Sequence, residues 1–192
     1  FAGFDHPMTG VGLSVACLRS RHSLGSGEFL DLLELGAWCV KAGIEFIQIL
    51  PVNDTGLLAS PYSAVSAFAL HPLYLRIEAL PEVGDYPDDD EVKKIVRILR
   101  KQRATFEAHS RMHYFDIMLV KLGLLRQLYG RFQADIGADR RFKAWLKANP
   151  WVAPYAVYSR LKELNGRTAW KQWPDLRQPS RHRRLARSGR TR

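Results

Sequence analysis

The first 75 residues predict an α/β fold, and three observations carry that prediction. "VGLSVACL" (11–18) and "EFIQILPV" (45–52) are short apolar runs of strand length. The segment between them places apolar residues at the three-and-four spacing of a helix. Strand, helix and strand within about 42 residues make a βαβ unit, which calls for parallel strands and a right-handed crossover.

Taken in order, the run 11–18 reads as a buried strand, and "RSRHSLGSG" after it as a polar, glycine-containing loop. A helix follows from about Glu28 to Ala42, with Ser26 as N-cap and Gly43 as its stop. Phe29, Leu32, Leu33, Ala37 and Val40 form its expected buried face. Both strands are apolar on two sides, as strands covered on both faces must be. Gln48 is the exception, and a side-chain amide there needs a polar partner or a ligand. Beyond residue 75 the pattern turns helical. "YPDDDEVKKIVRILRKQRATFEAHSR" passes from acidic to basic, matching a helix dipole, with Val92, Ile95, Val96 and Leu99 as its apolar stripe. A third helix is expected over 113–132, with Met118, Leu122, Leu125 and Tyr129 on one side. A short helix over 139–148 comes next, and a last one runs from Pro154 to "LNG". No third strand follows the βαβ unit.

Hydrophobic residues make up 46% of the 192, enough for a sizeable core. The net charge of +10 is unevenly spread. Residues 177–192, "RQPSRHRRLARSGRTR", hold seven arginines and no acid, which leaves 22 basic against 19 acidic residues in the body. That basic end is expected to be a disordered tail. Cys17 and Cys39 are too few for a disulfide framework and fit no zinc motif, so both are expected as buried free thiols in a reducing, cytoplasmic setting. No apolar run reaches membrane-span length, and no signal-peptide pattern opens the chain. The chain begins with Phe1 rather than methionine, which points to a piece of a longer polypeptide.

Most motifs reduce to structure. "LGSGEF" (24–29) lacks the third glycine of a dinucleotide fingerprint and any Walker lysine, and reads as a helix-capping loop. His109 and His113 have a metal-compatible spacing but no HExxH glutamate, so no metal is expected. "DDDE" (88–91) serves a helix start. The arginine-rich tail has no interleaved aromatic residue, and no nucleic-acid partner is expected from it. The stretch 53–66 is different. In parallel α/β folds ligands bind at the carboxyl ends of strands. Here that position offers Asn53, Asp54, Thr55, Ser60 and Tyr62, a mixture that suits a sugar. The same residues also suit a turn-rich loop bonding its own backbone. The residues alone leave both readings open.

"GVGLSVACLRSRHSLGSGEFLDLLELGAWCVKAGIEFIQILPVNDTG", then "SPYSAVSAFALHPLYL" and later "WVAPYAVYSRLKELNGRTAWKQWP", resemble the N-terminal part of the 4-α-glucanotransferases, glycoside hydrolase family 77, the amylomaltases or disproportionating enzymes. The "LPVNDT" wording is most similar to the cytosolic plant-type branch and its bacterial relatives. The resemblance covers about residues 10–176. It implies a partial (β/α)₈ TIM barrel: residues 1–75 as the first βαβ unit with its substrate loop, 76–176 as a helical insertion, and 177–192 outside the pattern. It also implies α-1,4-glucans, maltose and maltodextrins as partners, no cofactor, and retaining transglycosylation through carboxylates on later strands. No catalytic residue is therefore assigned within 1–192. Ser60 and Tyr62 are implied near the sugar, with Asp54 a weaker candidate shaping the loop beneath. Two other classes stay open: a non-catalytic glucan-binding module, and a nucleic-acid-associated protein acting through its tail.

Overall fold

The computed structural model describes residues 7–173, which fall into two compact units, one running to Lys143 and the other starting at Ala144. In the first unit β1 (Gly10–Leu13) and β2 (Phe46–Ile49) pair in parallel, Gly10 opposite Phe46 and Leu13 opposite Ile49. The helix α1 (Asp31–Ala42) connects them, as a βαβ unit requires. Each strand spans four residues, shorter than expected. Past Leu13, the Ser14 side chain accepts the Ala16 N–H and caps a 3-10 turn, Val15–Cys17, which takes the chain out of the ladder. That turn buries Val15 and exposes Cys17, so of the two thiols expected to be buried only Cys39 is. β2 ends just ahead of Pro51, which has no N–H to offer a ladder. Gln48 is exposed rather than set in a polar network.

The loop after β1 departs most from its sequence reading. Residues 23–28 are buried throughout, a strand of core rather than a polar surface loop. Gly27 permits this, since a Cβ there would lie 1.9 Å from the Val15 carbonyl oxygen and 2.6 Å from that of Leu18. Ser26 lies in that buried stretch and does not cap α1. Asp31 instead reaches back to the Glu28 N–H at 2.7 Å, the reciprocal half of a capping box. The helix stops where expected, at Gly43, whose φ of 70° is left-handed.

Beyond the sheet come α2 (Pro81–Gly84), α3 (Asp90–Glu107), α4 (Tyr114–Ala138) and α5 (Arg140–Ala148). Asp89 caps α3 by accepting the Glu91 and Val92 N–H groups, and also accepts Arg131 of α4 at 2.8 Å. Val92, Ile95 and Leu99 are buried, as their spacing predicts. On α4 the buried face is Ile117, Lys121, Leu124, Leu128 and Phe132, beside Met118. Tyr129, expected on the inner side, is 58% exposed. A stripe counted from apolar residues misses this face because a lysine sits in it.

The core of this unit lies between the buried loop, the segment 71–83, α3 and α4, with Val15, Leu24, Tyr74, Ile77, Leu99, Phe106 and Ile117 among its members. The expected face of α1 is only half covered. Phe29 and Leu32 pack on the core, whereas Leu33 and Val40 are 71% and 81% exposed and Ala37 is exposed too.

In the second unit α6 (Val152–Leu164) begins two residues ahead of Pro154, which still falls in its first turn. Trp173 is buried, its indole N–H donating to the Thr168 carbonyl at 3.1 Å and its ring 5.5 Å from that of Tyr158. The basic stretch 177–192 lies outside the described residues.

Candidate functional site

Past the carboxyl end of β2 the chain forms a closed loop. An antiparallel bridge joins Asn53 to Leu70, the Asp54 N–H donates to the Ala69 carbonyl at 2.8 Å, and the His71 N–H to that of Val52 at 2.9 Å. The Asn53 amide donates to the Ala67 carbonyl at 2.9 Å, and an Asp54 carboxylate oxygen accepts the Gly56 N–H at 2.8 Å. For these two residues the self-bonding turn reading therefore holds. Asp54 and Thr55 are buried. A second turn, closed by the Ser63 N–H on the Ser60 carbonyl at 3.1 Å, turns outward. Ser60 is exposed and Tyr62 is 72% exposed. The three candidate residues thus divide into a buried base, Asp54, and a solvent-facing rim, Ser60 and Tyr62.

Sequence reading did not find what underlies the base. The Leu73 N–H donates to Nδ1 of His71 at 3.2 Å, so the ring proton sits on Nε2, which is 2.7 Å from the Tyr114 hydroxyl. That hydroxyl in turn donates to the Gly56 carbonyl at 3.0 Å and lies 3.2 Å from Thr55 Oγ1, which donates to the Leu58 carbonyl at 2.5 Å. Burial pushes the His71 imidazole below its ordinary value and the Tyr114 phenol above its own, so both stay neutral near pH 7. Asp54, 4.0 Å from the His71 ring, opposes the shift of the imidazole. No local pattern in the sequence connects residue 114 to residue 56.

A charged cluster lies deeper. The Lys121 ammonium is fully buried, 2.6 Å from Glu28, and it also donates to the Leu73 and Leu75 carbonyls. Arg76 bonds Glu28 at 2.8 Å and pairs with Asp31. Asp31 further accepts Ser20 at 2.7 Å and Ser23 at 2.9 Å. Burial alone would raise the Asp31 carboxyl, but the hydrogen bonds from Ser20, the Glu28 N–H and Ser23, with Arg76, hold it below its ordinary value. Burial draws the Lys121 ammonium down against the pull of Glu28. Two cations face two carboxylates, and all but the partly exposed Arg76 are buried.

The His109 and His113 rings are 4.3 Å apart at 36°, and among the described residues no group of three metal-ligating side chains occurs. Asp89 caps α3, with Asp90 and Glu91 in its first turn. No helix among the described residues is long and apolar enough to cross a membrane.

A parallel strand pair with a crossover helix, delivering a closed polar loop at a strand's carboxyl end, is the arrangement by which α/β proteins present ligand-binding groups. Comparison with known proteins bears on the family of the chain. The family model described as 4-alpha-glucanotransferase matches residues 13–191, running on through the basic stretch that the quoted motifs do not reach. The chain is 33% identical over 187 residues to the 4-alpha-glucanotransferase DPE2 of rice (Oryza sativa subsp. japonica), covering 93% of this chain and 19% of that protein. With the 4-alpha-glucanotransferase of Chlamydia caviae it shares 35% identity, over 88% of this chain and 31% of the relative. The solved amylomaltase from Corynebacterium glutamicum matches 66% of this chain and 18% of its own length, with a TM-score of 0.57 and 27% identity. The chain belongs to the 4-alpha-glucanotransferase family. It spans about a fifth to a third of the length of these curated relatives.

Proposed function

We propose that the chain is the N-terminal part of a 4-alpha-glucanotransferase that moves α-1,4-glucan segments from maltose or maltodextrin donors to glucan or glucose acceptors. In this reading β1, α1 and β2 open a (β/α)₈ barrel, residues 76–176 are a helical insertion, and the enzyme works in the cytoplasm. The reaction is a retaining double displacement: a carboxylate attacks the anomeric carbon, a carboxylic acid protonates the departing oxygen, and a glucan hydroxyl then takes the sugar. Those carboxylates belong to later barrel strands, so the present residues bind and orient rather than react. Ser60 donates to sugar hydroxyls and Tyr62 packs its ring on a pyranose. Asp54 contributes from beneath, through the Gly56 N–H that it holds.

The observation that supports this most is the exposed Ser60–Tyr62 turn just past the carboxyl end of a parallel strand, in a chain of this family. The test is maltoheptaose binding by the 192-residue chain, followed by calorimetry. Binding weakened at least tenfold by Tyr62→Ala, with an unchanged melting curve, is the expected result. Equal affinity in the two forms would remove Tyr62 from the site. Glucose release from maltose by this chain alone would contradict the placement of the carboxylates elsewhere.

A further inference from the structure

The rim that carries Ser60 and Tyr62 is fastened from outside its own loop. Four hydrogen bonds run head to tail: Leu73 N–H to His71 Nδ1, His71 Nε2–H to the Tyr114 hydroxyl, that hydroxyl to the Gly56 carbonyl, and the Gly56 N–H to Asp54. Their direction is fixed at both ends, because a backbone N–H can only donate and a carbonyl can only accept. His71 is therefore held in one tautomer, and the Tyr114 hydroxyl is held as acceptor from one side and donor to the other. Tyr114 opens α4, 58 residues from Gly56 in the chain, while His71 closes the loop as the partner of Val52. The phenol ring also stands edge-on to the imidazole, with centroids 5.9 Å apart.

We propose that Tyr114 and His71 are positioning residues for glucan recognition: their hydrogen-bond chain joins the first turn of α4 to the Asp54–Gly56 turn and so fixes where the Ser60–Tyr62 rim stands. The proposal rests on the reading of that rim as a glucan-binding edge. Neither side chain meets the sugar; each acts through the loop. A helix of the inserted region thereby sets the geometry of a binding loop that belongs to the βαβ unit.

The test compares the 192-residue chain with Tyr114→Phe, which keeps the ring and its packing and removes one hydroxyl. Amide hydrogen exchange at Gly56 and Val65 should accelerate at least about tenfold, since the substitution removes both the bond that the hydroxyl accepts from His71 and the one that it donates to Gly56, while the α3 amides keep their protection. Maltoheptaose affinity should fall by about the same factor. Unchanged exchange at those amides overturns the inference, as does an affinity loss accompanied by a uniform loss of protection. Failure of the unsubstituted chain to bind maltoheptaose sinks the functional reading, and the exchange result still decides the positioning role. Should Tyr114→Phe not fold, the pair His71→Gln and His71→Ala makes the same comparison. The glutamine amide can still donate toward Tyr114 and should keep exchange slow where alanine does not. Equal exchange in the two would overturn the proposal.

Discussion

Lys121 and Leu33 both lie on helices of the first unit, yet the lysine is fully buried and the leucine is 71% exposed. Around the lysine every polar requirement is met from within: Glu28 neutralises it and two carbonyls complete its donors. Around the leucine the outer face of α1 also shows Trp38 and Val40, and β2 shows Phe46 and Ile49. Residue chemistry alone would assign these positions the other way round. Burial here follows the partners that each surface finds, and among the described residues the outer βαβ surface finds few.

Removing the lysine gives the strongest break of this contrast. Lys121→Met leaves the buried Glu28 with Arg76 as its one remaining cation and strips the Leu73 and Leu75 carbonyls of a donor, and should cost about 3–5 kcal/mol by urea unfolding. A cost near zero would mean that the cluster contributes little. Truncation within the apolar core comes next. Leu124→Ala should cost about 2–5 kcal/mol, whereas Leu33→Ala should stay within about 0.5 kcal/mol. Equal costs would show that α1 is covered after all.

Acid sharpens the contrast less. The folded His71 has a lowered pKa, so below its ordinary value of 6.5 the unfolded chain takes up a proton that the folded chain refuses. Its contribution is complete above about pH 6.5 and declines as the pH falls toward the folded pKa, by at most about 1.4 kcal/mol per pH unit. The groups facing the ring are Asp54, Tyr74, Tyr114 and Lys121. Thermal midpoints between pH 7.5 and 5.5 should therefore drop in the unsubstituted chain and drop less in His71→Gln. The smallest effect on stability belongs to the exposed face. Leu33→Lys with Val40→Glu should leave the unfolding midpoint nearly unchanged while reducing self-association in sedimentation, because an uncovered apolar patch invites pairing. A chain already monomeric and monodisperse would count against that patch.

The βαβ unit and its parallel order were legible because an apolar period and a terminating glycine are local signals, readable at Phe29, Leu32 and Gly43. The location of the candidate rim was legible for the same reason, since "SPYS" is a turn by composition. The buried loop 23–28 was not, because serines and glycines announce a surface turn unless a close backbone neighbour is known. The inner face of α4 was misread because Lys121 interrupts its apolar period and gains its partner 93 residues away. Tyr114 and His71 escaped notice because their hydrogen bonds join distant segments, and single-sequence periodicity carries no record of such pairs.

The long reach of the Lys121 ammonium has a consequence for synthesis. Its acceptors at Glu28, Leu73 and Leu75 leave the ribosome well before it does, and until α4 emerges those groups must stay hydrated. The strand pair and its crossover helix could form early from nearby segments, but the outward turn would take its final bearing only when α4 docks. Nascent chains halted shortly before residue 114 should thus show the loop amides unprotected, however well the first βαβ unit has already formed.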